Sequence, residues 1–149
     1  MPRVSRSRLI PAGPERVWEL VSDPHSLPRW WPRTSRVEDV RGEAGEAEWT
    51  SVLETNRGKG VRADFRCTAA AVGERYAWEQ KVEGTPFERV LRAARVEIGL
   101  RADGDSTEVT LTTVETLRGI SRLGSSMMKG AARSRLDEAL AAIERVLVG

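Results

Sequence analysis

Between residues 34 and 117 the apolar side chains recur at every second position, and after about residue 120 they recur every three or four. This single change of period restricts the chain to a few layer architectures. "GVRADFRCTAAA" sets Val61, Ala63, Phe65, Cys67 and Ala69 on one face, with Arg62, Asp64, Arg66 and Thr68 on the other. "RYAWEQKVEG" sets Tyr76, Trp78, Gln80 and Val82 opposite Arg75, Ala77, Glu79 and Lys81. "EAEWTSVLET" does the same with Ala47, Trp49, Ser51 and Leu53. "TSRVEDVRG", "FERVLRAARVEIGLRADG" and "STEVTLTTVETLRG" read as further strands, and "DGDS" at 103–106 is a turn signal. Successive strands with short connections predict an antiparallel meander, with one polar face turned to water.

The C-terminal segment has the other period. "SRLDEALAAIERVLVG" spaces Leu136, Leu140, Ile143 and Leu147 by four, three and four residues, which predicts an amphipathic helix. It is expected to begin near residues 120–124 and to run to about Val148. Its first half is pliable, because Gly124 and Gly130 weaken a helix and Met127 and Met128 are adaptable fillers.

The N-terminal third is different again. "RVSRSRLI" alternates as a strand over residues 3–10, and "PAGP" ends it. Pro14 suits the first turn of a helix and Glu15 suits its positive end, while Val17, Trp18, Leu20 and Val21 form its apolar stripe. "DPHSLPRWWPR" carries prolines at 24, 28 and 32, so at most a short helix or turn fits near 24–31. Two adjacent indoles, Trp30 and Trp31, need cover there. The predicted fold is α+β: a curved antiparallel sheet of about seven strands wrapped around a long C-terminal helix. Two short helices follow the first strand and close one end.

Length and charge narrow the function classes. The 149 residues suit one domain spanning 1–149. Net charge is +2 and the acidic residues are interspersed among the arginines, so no nucleic-acid patch is indicated. Cys67 is the single cysteine, which excludes an internal disulfide. "MPRVSRSRLI" has no long apolar run, so no signal peptide or membrane span is read there and a cytoplasmic location is the default expectation. No "GxGxxG" or "GxxxxGK[ST]" occurs, and no His, Cys and Asp fall at metal-ligand spacing. His25 is the single histidine, in a proline-rich turn, so no Ser-His-Asp set can be assembled around it. Neither metal nor cofactor is expected.

The segment "SRLIPAGPERVWELVSDPHSLPRWWP" resembles the opening of the START/Bet v 1-like (SRPBCC) superfamily, the polyketide cyclase/dehydrase and lipid-transport type. The residues that carry the resemblance are Pro11 or Pro14, Glu15, Val17, Trp18, Asp23, Pro24 and Trp30. They mark a helix-grip fold and are silent on chemistry. The resemblance implies a cavity between sheet and C-terminal helix that holds a lipid, polyketide or similar hydrophobic molecule. Binding or transport is the leading expectation. A polyketide aromatase/cyclase or dehydrase is the alternative, and a protein-interaction module with a filled core is a third.

With that fold, ligand contact is expected from Trp31, Trp49, Phe65, Tyr76, Trp78, Arg92, Thr113, Met127 and Met128. Trp30 is expected to be a structural cap, and Trp31 is the freer indole. Counting by twos from Val96 and from Leu111 brings Arg92 and Glu115 inward. They then pair with each other or read a polar group of the ligand; otherwise a bulge or a strand end leaves them in water. A cyclase would draw on Tyr76, Arg92 and Glu115. The partner is a hydrophobic small molecule, with no nucleic acid. "VRADFR", with Arg57 and Lys59, reads as a solvated strand face, and transient contact with anionic membrane is its other reading. A monomer and a homodimer are both open.

Overall fold

The computed structural model describes residues 3–55, 58, 60–119 and 122–149 of the chain. Its strands are β1 (Arg3–Ile10), β2 (Thr34–Arg41), β3 (Glu48–Glu54), β4 (Gly60–Ala71), β5 (Arg75–Gln80), β6 (Leu91–Asp103) and β7 (Ser106–Leu117). Its α-helices are α1 (Pro14–Val21), α2 (Leu27–Trp30) and α3 (Arg122–Val148). The strands form one seven-stranded sheet in the order β1-β7-β6-β5-β4-β3-β2. Every neighbouring pair is antiparallel, so β2 to β7 is a meander and β1 closes against β7. This is the curved-sheet helix-grip fold.

Local chemistry places the short elements. Pro14 opens α1 with Glu15 in its first turn, and Val17, Leu20 and Val21 bury one face of it. The Asp23 carboxylate accepts from the His25 N–H at 3.0 Å, and Pro24 starts a single 3₁₀ turn. Pro28 sits at the start of α2, where its missing N–H costs nothing. Arg33 then takes φ 64°, which turns the chain sharply into β2. The β6–β7 hairpin turns at Gly104, whose φ of 61° suits a residue without a Cβ.

The concave face can be followed as a row of cross-strand partners. Val4, Thr113, Val96, Trp78 and Cys67 lie opposite one another in succession from β1 to β4. The next row in the same direction includes Leu111, Ile98 and Tyr76. Leu136, Leu140 and Ile143 of α3 are wholly buried in the same core as these residues. Each such side chain removed from water contributes about 1.5–3 kcal/mol. Along the edge, Arg6 pairs with Asp137 at 2.8 Å and Arg8 with Glu144 at 3.1 Å, tying α3 to β1.

The convex face is polar. Hydroxyl pairs join Ser5 to Thr112 and Ser7 to Thr110, each at 2.7 Å. Glu97 of β6 accepts from Arg3 of β1 and Arg75 of β5, and also forms an ion pair with Arg95 on its own strand. These cross-strand charges are partly exposed and set register more than stability.

One strand begins later than its alternation predicts. Phe87 to Arg89 belong to a 3₁₀ turn over Pro86–Arg89, and β6 starts at Leu91. Proline at the head of that turn has fixed φ and no N–H to give a ladder. A register shift follows between Leu91 and Ala93, which makes Arg92 the extra residue of a bulge.

Candidate ligand cavity

At one end of the concave face, the sheet and α3 part. The space between them is a cavity of about 300 Å³. Aromatic rings make much of its wall: Trp31 from the end of α2, Phe65 from β4, Trp78 from β5 and Phe87 from the 3₁₀ turn. Leu53, Val61, Ala94 and Val96 supply aliphatic surface. The volume is at the small end of the range for small-molecule sites, and the apolar wall is typical of them.

The rings are held by one another. Trp31 meets Trp30 at 5.6 Å and Trp78 at 5.5 Å between centroids, both edge-on. Trp49 stacks on Phe65 at 6.1 Å with planes 14° apart. Trp30 and Trp49 are only 2% and 1% exposed and lie behind the cavity wall rather than on it. Such pairs favour edge-to-face or offset packing, so the wall is pre-shaped.

The cavity has polar lining too: Arg33, Glu54 and Thr55 at the β2 and β3 side, Arg95 on β6, and Gln80, Glu115 and Arg135 from β5, β7 and α3. Glu115 of β7 forms an ion pair with Arg135 of α3. The Arg135 guanidinium also sits 5.9 Å from the Trp31 ring centre, within cation–π range. Gln80 lines the same cavity, and its amide nitrogen is buried without a protein acceptor. The Nε of Arg135 is in the same condition. Buried donors normally find partners, so two unmatched donors on cavity residues mark where a ligand acceptor would be rewarded.

A second, smaller hollow of about 130 Å³ lies between α3 and the β1–β7 edge. Val4, Thr113, Met128, Lys129 and Ala132 line it, with Glu115 and Arg135 again on its wall.

The residues singled out from the sequence divide among these places. Trp31, Phe65 and Trp78 line the larger cavity, and Thr113 and Met128 line the smaller. Tyr76 and Trp49 are buried in the core and reach neither. Met127 is 73% exposed, on the side of α3 turned away from the sheet. Arg92 is exposed and lines a neighbouring groove with Ala93 and Lys81, which shares Gln80, Ala94 and Arg95 with the cavity, but Arg92 does not line the cavity itself. The bulge at Arg92 breaks the count by twos back from Val96, so Arg92 does not meet Glu115. Glu115 does reach the cavity, with Arg135 as its partner. Counting strand periods could not find Arg135. It shares a helical face with Met128 and Ala132, seven and three residues earlier, and that spacing was the available signal. Phe87 had no such signal, because it lies in a 3₁₀ turn.

Two buried acids sit in the core behind the cavity. Burial pushes the Cys67 thiol above its ordinary value. Burial also raises the Tyr76 phenol, with neighbouring Cys67 adding to the shift. Both stay protonated at neutral pH. Among the described residues no three His, Cys, Asp or Glu side chains converge as metal ligands, and no helix is long and apolar enough to cross a membrane.

A family model for "Polyketide cyclase / dehydrase and lipid transport" matches residues 1–148. The chain belongs to this polyketide cyclase/dehydrase and lipid-transport family. Solved structures share its fold. A protein from Thermus thermophilus superimposes with a TM-score of 0.74 at 23% identity, covering 99% of this chain and 97% of that one. A START superfamily protein from Mycobacterium smegmatis gives 0.76 at 14% identity, covering 97% and 96%. The di-domain ARO/CYC StfQ from the steffimycin biosynthetic pathway gives 0.78 at 8% identity, covering 98% of this chain and 50% of that one. No curated protein matches the chain. At these identities the likeness is one of fold, and within the family activity has to be argued from the cavity itself.

Proposed function

We propose that this family member binds and carries a hydrophobic small molecule between the concave sheet and α3. The observation that carries the reading is the cavity of about 300 Å³ walled by Trp31, Phe65, Trp78 and Phe87, with unmatched donors on Gln80 and Arg135. Its apolar wall supplies affinity by removing a ligand from water, and the donors orient a ligand carrying a carbonyl, hydroxyl or carboxylate oxygen. The family's description as a lipid-transport group supports the same reading.

A cyclase needs ionisable or hydroxyl side chains facing the substrate. Of Tyr76, Arg92 and Glu115, only Glu115 lines the cavity, and Arg135 engages its carboxylate. Arg33, Glu54, Thr55 and Arg95 stand on the same wall, so the carrier reading rests on the apolar part of the lining and not on a lack of polar groups. Native mass spectrometry of the purified protein is the test. A bound mass that extracts into organic solvent is expected. A bare chain that also takes up no fatty acid, quinone or aromatic polyketide on incubation would contradict the proposal.

A further inference from the structure

Glu115 and Arg135 are the two residues that line both hollows. Their ion pair is therefore the shared wall between a cavity of about 300 Å³ and one of about 130 Å³. The cross-strand row passes two residues from Glu115 on β7, with Trp78 and Val96 lining the larger hollow and Thr113 and Val4 the smaller. We infer that the Arg135–Glu115 pair is a movable partition that sets the length of ligand the protein accepts, and that opening it admits a long-chain carboxylate. This rests on the carrier reading above and adds to it a chain length and a head group.

The wall is suited to open. Both side chains are partly exposed, at 33% and 25%, and ion pairs in that setting are weak. The Nε of Arg135 has no partner to lose, and its guanidinium keeps the face of Trp31 when it leaves Glu115. Beyond the wall the space is made by Ala131, Ala132 and pliable Met128, so a chain passing through meets small or adaptable side chains. Lys129 stands at the far side and has no ion-pair partner among the described residues. A carboxylate there would gain a charge partner, while its chain runs under Arg135 into the aromatic cavity. A short chain fits the larger cavity alone and leaves the pair closed. Each methylene buried beyond that length strengthens binding, provided the second hollow is open to it.

Tryptophan fluorescence titration with octanoate, dodecanoate and hexadecanoate tests this, in the wild type and in Ala132→Leu. The wild type is expected to bind hexadecanoate at least about tenfold more tightly than octanoate. Ala132→Leu, which fills the second hollow, is expected to reduce that ratio about tenfold. Ala131→Leu, on an exposed helical position, serves where Ala132→Leu fails to fold. Lys129→Gln is expected to narrow the preference for hexadecanoate over hexadecanol. The Glu115 side-chain carboxyl resonance, which reports the ion pair with Arg135, is expected to move with hexadecanoate and to stay with octanoate. Equal length ratios in wild type and both leucine variants, or an unmoved Glu115 resonance at saturation with hexadecanoate, would overturn the partition while leaving the carrier intact. Failure of all three acids to bind would overturn both.

Discussion

Trp31 stands edge-on to Trp78, with ring centres 5.5 Å apart and planes at 88°. The contact joins the chain leaving α2 to the middle of the sheet, and both indoles face the cavity. Their burial differs. Trp78 is 2% exposed, whereas Trp31 keeps part of its surface open.

That difference separates stability from binding. Trp78→Ala is expected to cost about 3–5 kcal/mol, because it opens a void in a packed aromatic layer. Trp31→Ala is expected to cost roughly 1–2 kcal/mol, because less surface is lost to water. Urea denaturation measures both. Trp31→Ala is nevertheless expected to lose most of the affinity for an apolar ligand, read by titration of the folded variant.

Alkaline pH should weaken the fold through two residues. Cys67 and Tyr76 have ordinary values of 9.0 and 10.0, and the folded state raises both. Above those values the unfolded chain releases protons that the folded one keeps, so stability falls as pH rises. Below them this contribution is fully present. The melting temperature is expected to hold from neutral pH to about pH 8.5 and then decline. Tyr76→Phe should flatten the decline above pH 10 and Cys67→Ala the earlier part. Cys67 should also resist thiol reagents at neutral pH until the protein unfolds.

The attachment of α3 divides between oil and charge, and the two respond differently to salt. Leu136 is fully buried, so Leu136→Ala is expected to cost about 2–5 kcal/mol at any ionic strength. Arg6 and Asp137 are both about half exposed, so Arg6→Ala should have a small effect that vanishes in molar salt. Chemical denaturation by urea, with and without added sodium chloride, measures the contrast.

The fold was legible because its signals are periodic. Alternation along Val61 to Ala69 and the spacing of Leu136, Leu140 and Ile143 each follow from one regular backbone geometry. The site was legible mainly where the period held. Phe65, Trp78, Thr113 and Met128 fall on the hollows as that geometry dictates, whereas Trp31, in a proline-rich turn, was expected there only as the freer of two adjacent indoles. Arg92 does not, because one extra residue in a bulge turns it away from the interior. Tyr76 and Trp49 face inward too, but periodicity reports a face and not the depth at which packing gives way to space. The Arg135–Glu115 pair joins a helix residue to a strand residue 20 positions earlier in the chain, and that contact depends on how α3 crosses the sheet.

The most direct test fills the space. Ala94→Phe puts a ring into the cavity of about 300 Å³ from the β6 side. Tryptophan fluorescence is followed during titration with fatty acids, quinones and aromatic polyketides, for the wild type and for this variant. The account predicts saturable quenching or a blue shift in the wild type for at least one ligand class, and its loss in a variant that still melts cooperatively. Binding of equal strength in the filled variant, or no response to any ligand in the wild type, would contradict it.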